Sequence, residues 1–250
     1  MKSLFLVLFG LFANCLSGAD AADSPKIVKV ELPMAQVLDC VKRFTALDGS
    51  FTAKEIDRVS LSELNIPFLS PQIKDQTGIR VRFAPGKIKL PRPITGHADT
   101  YLRYFSVYLD AEASRVLAVT SRLEKRSPDV SHLNTLEAAA EELRGDSEFY
   151  ESFPTVEPKT TFIDALQKKD GFPLVAQEID GFYVMYSRFH VNPRPMWVIN
   201  LRGLPPMSAP GRIGAPEGEE IPLWGMNHWR YLVDAITGEL VLEASFPNPD

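Results

Sequence analysis

Cysteine is almost absent from this chain. Its 250 residues hold two, Cys15 and Cys40. Cys15 lies in an N-terminal segment built like an export signal, so the mature chain is expected to keep Cys40 alone and to form no internal disulfide. Cys40 sits in Val37-Leu38-Asp39-Cys40-Val41, a partly apolar helical pattern that suits a small buried hydrophobe better than a reactive thiol. Runs of Lys and Arg are also missing, and the formal net charge is −5. Nucleic-acid backbone binding needs a clustered positive surface, so no nucleic-acid partner is expected. Beyond the N-terminus no apolar stretch reaches the roughly 20 residues that a bilayer-spanning helix takes. No stable membrane span is expected after signal removal.

Chemistry-bearing motifs are equally sparse. The four histidines are His97, His132, His190 and His228. None has a second His or a Cys at metal-ligand spacing, and His97-Ala98-Asp99 supplies two ligands where a zinc site needs three or four. No Gly-x-Ser-x-Gly elbow occurs. The Gly-Lys and Gly-Arg pairs lack the spacing and hydroxyl residue of a phosphate-binding loop. The chain is therefore read as non-enzymatic, with no metal and no cofactor.

What is present is a globular composition, 45% hydrophobic and 24% charged, with apolar mass for one large core or two small ones. The N-terminus has three parts: Lys2, an apolar run from Leu4 to Phe12, and the small residues Ser17, Gly18, Ala19 and Ala21. This is the plan of a secretory signal over residues 1–21, cleaved after Ala19 or Ala21, and it places the mature protein outside the cytoplasm, secreted or periplasmic. An acylated Cys15 would want a small residue before it, and Asn14 fits that poorly.

A segment then occurs twice. Phe105-Ser106-Val107-Tyr108-Leu109-Asp110-Ala111 runs through Glu112-Ala113-Ser114 into Arg115-Val116-Leu117-Ala118-Val119. Trp229-Arg230-Tyr231-Leu232-Val233-Asp234-Ala235 runs through Ile236-Thr237-Gly238 into Glu239-Leu240-Val241-Leu242. Both read as apolar strand, Asp-Ala, tight turn, apolar strand, as a duplicated unit would.

Periodicity fills in the rest. Ile27 to Leu32 alternates like an edge strand, and Met34 to Leu47 carries Val37, Leu38, Val41 and Phe44 at helical spacing. Thr52 and Glu55 have capping-box spacing, which predicts a second helix from Thr52 to Leu64. Gly78 to Phe83 alternates as a strand, and Ile88-Lys89-Leu90 is expected to pair back on it. Leu133, Leu136, Ala139, Ala140 and Leu143 mark an amphipathic helix, and Thr160 to Lys169 another. Leu174 to Ile179, Phe182 to Val191 and Met196 to Leu201 read as strands. Asp180-Gly181 between the first two is a strong hairpin signal. Gly203 to Pro222 has no period of either kind and reads as a long functional or disordered loop. The expected fold is α+β: two related modules, each a helix on an antiparallel sheet, over 27–126 and 159–247, with 127–158 as a linker containing a helix.

The C-terminal hairpin resembles the end of a PepSY-like domain, the small helix-and-sheet module of peptidase propeptides and secreted proteins. Asp234 and Gly238 match its pattern. The earlier copy keeps Asp110-Ala111 but has Ser114 and Arg115 where Gly and Glu would stand. The match covers about a tenth of the chain. Such modules act by binding, often on a peptidase, so the resemblance implies a protein or peptide partner and no catalytic residue.

The residues themselves give Asp110, Asp234 and Gly238 turn roles, since Asp bonds turn backbone and Gly takes positive φ. The candidate binding cluster is Trp224, Met226, His228 and Trp229, beside the Pro-rich loop, because aromatics supply large contact area with few rotors. The expected function is an exported binding protein that engages a partner through a sheet face or the 203–222 loop. The alternatives are a small-ligand carrier and a secreted hydrolase.

Overall fold

Alternating apolar residues in successive segments of this chain pair into one large sheet. The computed structural model describes residues 26–28, 32–47, 51–64, 76–89, 100–123, 152–168, 176–187, 192–203, 208–209, 221–222 and 228–246. The expected signal at 1–21, Cys15, the helix at Leu133 to Leu143 and His97, His132 and His190 lie outside them. Strands β1 (Lys26–Val28), β2 (Ala53–Ser60), β3 (Thr77–Phe83), β4 (Gly86–Lys89), β5 (Thr100–Leu109) and β6 (Val116–Leu123) come first. Then follow β7 (Glu178–Tyr186), β8 (Arg194–Arg202), β9 (Ser208–Ala209), β10 (Ile221–Pro222), β11 (His228–Asp234) and β12 (Leu240–Phe246). The main sheet runs β1-β2-β3-β5-β6-β7-β8-β11-β12, with β4 on β5. β1 pairs parallel to β2, and the other pairs are antiparallel.

This overturns the expected pair of α+β modules. The structure is mostly antiparallel sheet rather than two helix-on-sheet units. β6 pairs with β7 through Ala118–Phe182 and Thr120–Asp180, so the sheet has no break between the two stretches. They also share one core, in which Val37, Cys40 and Phe44 join Phe105, Phe162, Tyr183 and Trp197. The reason is physical. Periodicity marks a strand and its apolar face, but strand-to-strand pairing is set by side-chain fit across the ladder, which one segment does not encode.

Among the described residues two helices cover one face. α1 (Met34–Thr45) buries Val37, Cys40, Val41 and Phe44. It ends at Ala46, whose left-handed φ of 58° lets its N–H reach the Lys42 carbonyl. α2 (Phe162–Leu166) starts at Thr161, which forms a capping box with Asp164. The sheet holds α2 by its polar tips. The Trp197 indole donates to the Thr160 carbonyl at 2.9 Å and the Tyr231 hydroxyl to the Leu166 carbonyl at 3.2 Å, serving backbone acceptors at both ends of the short helix.

Three local expectations are corrected. Thr52 to Leu64 is not a helix. It is β2 followed by a 3-10 turn at Leu61–Leu64. Ala53, Ile56 and Val59 are buried there, and pairing with β3 outweighs the capping-box signal. The strand at Ile88 pairs with β5 rather than folding back on β3. Asp180-Gly181 is not a turn, because β7 runs straight through it. Gly181 is required by contact: a Cβ there would lie 2.3 Å from Phe162 Cε2. The helix ring uses the space that a side chain would occupy.

The two Asp-Ala bends have the same register. Leu109 pairs with Val116 and Val233 with Leu240, each next to a bulge. The Asp110 N–H donates to the Arg115 carbonyl at 3.2 Å, and the Asp234 N–H to that of Glu239 at 2.9 Å. The left-handed residue differs by one place, Ala113 against Gly238. The correspondence is one of hairpins within a single sheet.

Candidate functional site

The face of the sheet away from the helices changes character along its strands. Toward one end Ala118, Phe182, Val198 and Leu232 form a second apolar cluster, which also takes in Phe153. Two residues along each strand the side chains turn polar. Register carries one row across the sheet: Glu55 beside Arg82, then Ser106, Thr120, Asp180, Asn200 and Arg230. The next row is Tyr104, Arg122, Glu178 and Arg202. Sheet alternation puts both rows on one face.

Several of these charges are buried. Glu178 is 4% exposed, Asp180 3% and Arg202 3%. Arg202 Nη2 forms an ion pair with Asp180 and lies 3.4 Å from Glu178 Oε2. Arg202 Nε and Nη1 have no hydrogen-bond partner among the described residues. Arg82 is held by Glu55 at 2.5 Å, and Arg230 Nε donates to Asn200 Oδ1 at 2.7 Å. Buried donors without partners cost about 1–3 kcal/mol each, and buried ion pairs add little stability. An array of this kind marks a functional site more readily than a stabilising one.

From the helix side comes a further cation. Arg103 is fully buried, donating from Nε to Ser121 Oγ at 2.9 Å and from Nη1 and Nη2 to the Ala176 carbonyl at 2.8 and 2.6 Å. Burial pulls its guanidinium down to about 9, and the negative charge of Glu178 works in the other direction. It remains a cation at neutral pH.

A cavity of about 420 Å³ opens over these rows. It is lined by Arg202, Asp180 and Glu178, by Ser106 and Thr120, and by Tyr104, Tyr108 and Arg122, with Arg122 next to Glu178 across the β6–β7 ladder. Arg122 is exposed at the mouth, its guanidinium 5.2 Å from the Tyr104 ring centroid. The volume falls within the range of small-molecule sites. Among the described residues no group of three or more His, Cys, Asp or Glu is placed to hold a metal ion.

Of the candidate cluster at the C-terminal side, only Trp229 has a described side chain, and it does not line this cavity. Trp224 and Met226 lie outside the described residues. His228 opens β11 by its backbone. Trp229 is partly buried and packs against the helix-side core, on the opposite face of the sheet. The turn residues act on backbone: Asp234 Oδ1 accepts from the N–H groups of Ile236 and Thr237 at 2.8 and 2.9 Å, and Asp110 Oδ1 from those of Ser114 and Arg115 at 2.7 and 3.2 Å. Gly238 has a φ of 73°. Sequence reading missed Arg82, Ser106, Thr120, Arg122, Glu178, Asp180 and Arg202. Their one signal is a charged or hydroxyl residue at every second place in strands that are otherwise apolar, which looks like an ordinary solvent face until the strand order is known.

No family model, curated protein or solved structure matches the chain. Among the described residues no helix is long and apolar enough to cross a membrane.

Proposed function

We propose that this is an exported, non-catalytic binding protein that holds a small ligand in the cavity on the face of its sheet opposite α1 and α2. The observation that carries the reading is the buried Arg202, whose Nε and Nη1 point no hydrogen bond at any described residue while its wall borders a cavity of about 420 Å³. A ligand that accepts those bonds would offset the cost of burying them. The likeness of the C-terminal hairpin to PepSY-like modules supports binding over catalysis. Export rests on the signal-like N-terminus.

The test fills the cavity. Ser106 and Thr120 are cross-strand neighbours on its floor, so a Ser106→Leu/Thr120→Leu protein should occupy the space without touching the helix-side core. Wild type and filled protein would be melted with a panel of anionic, neutral and cationic aromatic compounds. At least one compound should raise the melting temperature of the wild type and leave the filled protein unmoved. A panel that stabilises neither, or both equally, would reject the cavity as the binding site.

A protein partner is the second reading, and one observation favours it. Among the described residues β12 ends the sheet, and Leu240 on it is 40% exposed. An open edge can take an extended peptide as a further strand. Leu240→Lys should then abolish capture of that peptide while small-ligand binding persists.

A further inference from the structure

The cavity is rich in donors and short of free acceptors, and this deepens the small-ligand reading on which it rests. Asp180 and the Oε2 atom of Glu178 already face Arg202. On the donor side, Arg202 Nε and Nη1 lack partners. Arg122 has no carboxylate partner among the described residues and is held against the Tyr104 ring. The half-buried Ser106 and Thr120 bring two hydroxyls to the row beside Tyr104 and Arg122.

Charge points the same way. Among the charged groups that line the cavity, Arg82, Arg122 and Arg202 stand against Glu178 and Asp180. The neighbouring Arg80 and Asp57 cancel each other. One positive charge is left over, and Arg122 at the mouth is the group that carries it. A guanidinium offers a planar pair of N–H donors that fits a carboxylate in two-pronged fashion. The Tyr104 and Tyr108 rings give the rest of the ligand an apolar surface. We propose that the cavity takes a small organic monocarboxylate with an aromatic or aliphatic body, its carboxylate paired with Arg122 at the mouth and its body lying over the Tyr104 and Tyr108 rings.

Four matched probes test this by isothermal titration on the intact protein: 1-naphthylacetate, 1-naphthyl phosphate, 1-naphthylacetamide and 1-naphthylmethylamine. The carboxylate should bind roughly tenfold or more tighter than the amide, as one charge-assisted bond implies. Arg122→Gln, at an exposed position, should erase that preference. Arg58→Gln should keep it, because Arg58 pairs in register with core residue Ile79 on the other face of the sheet. Amide or amine binding as tight as the carboxylate would overturn the assignment and leave the binding reading standing. So would an unchanged preference in Arg122→Gln, and tighter binding of the phosphate would replace the carboxylate by a dianion. If none of the four binds, the carboxylate assignment falls; the binding reading falls with it only when the cavity-filling test is also negative.

Discussion

Replacing Gly181 by Ala tests the packing of α2 on the sheet. The new Cβ would stand 2.3 Å from Phe162 Cε2 and 2.8 Å from Cδ2. Ordinary contact begins near 3.4 Å, so ring and strand must separate by about 1.1 Å. The ring has little room to retreat. Phe162 is fully buried, with the Trp197 centroid at 5.5 Å and the Phe105 centroid at 6.4 Å. Overpacking costs about 1–3 kcal/mol, and Ala recovers roughly 0.5–1 kcal/mol of the entropy that a strand glycine loses. The expected net loss is about 1–2 kcal/mol, or roughly 2–8 °C in melting temperature for a chain of this size. Urea unfolding followed by circular dichroism would measure it. The decisive version is a cycle with Phe162→Leu, which shortens the opposing side chain. In that background Gly181→Ala should be neutral or stabilising, a coupling above about 1 kcal/mol. An equal cost in both backgrounds would refute the argument, because the need for glycine would then come from the backbone and not from the ring.

Two other outcomes are expected. Ala46→Gly should stabilise the protein by roughly 0.5–1 kcal/mol in the same urea assay, since Ala46 caps α1 at a φ of 58° where a Cβ is strained. Burial pushes the Cys40 thiol up to about 12 from an ordinary 9.0, with Arg43 opposing. The folded state therefore keeps its proton longer than the unfolded chain. This contribution to stability is complete below about pH 9 and is lost as pH rises toward 12. Cys40→Ala should flatten that alkaline slope, and peptide mapping after iodoacetamide treatment near about pH 8 should find Cys40 labelled only in denaturant.

Local elements were largely legible in the sequence, and their assembly was not. α1 showed in the spacing of Val37, Val41 and Phe44, and β3 in its alternation. The β5–β6 and β11–β12 hairpins showed in the repeated Asp-Ala bend. Thr52-x-x-Glu55 and Asp180-Gly181 misled for one reason: a short local signal met a tertiary contact that outweighs it. In the second case the evidence lies in Phe162, nearly 20 residues earlier in the chain, which no local window includes. The cavity was hidden more deeply still. Arg82, Thr120, Asp180 and Arg202 come from four strands and become neighbours only through register, while the segment that did look like a site, around Trp229, uses its indole for the core.

The straight course of β7 has one more consequence. Both of its faces are covered, and its residues alternate between aromatic packing and charge pairing. A slip of a single residue that drove the Asp180 carboxylate under the Phe162 ring would set Gln177 in place of Glu178 opposite Arg202 and Ile179 in place of Asp180. Misaligned pairings at the centre of this sheet are thus rejected twice over, once by a stranded charge and once by a missing partner. That double veto selects one alignment from the many that a run of similar strands would otherwise permit.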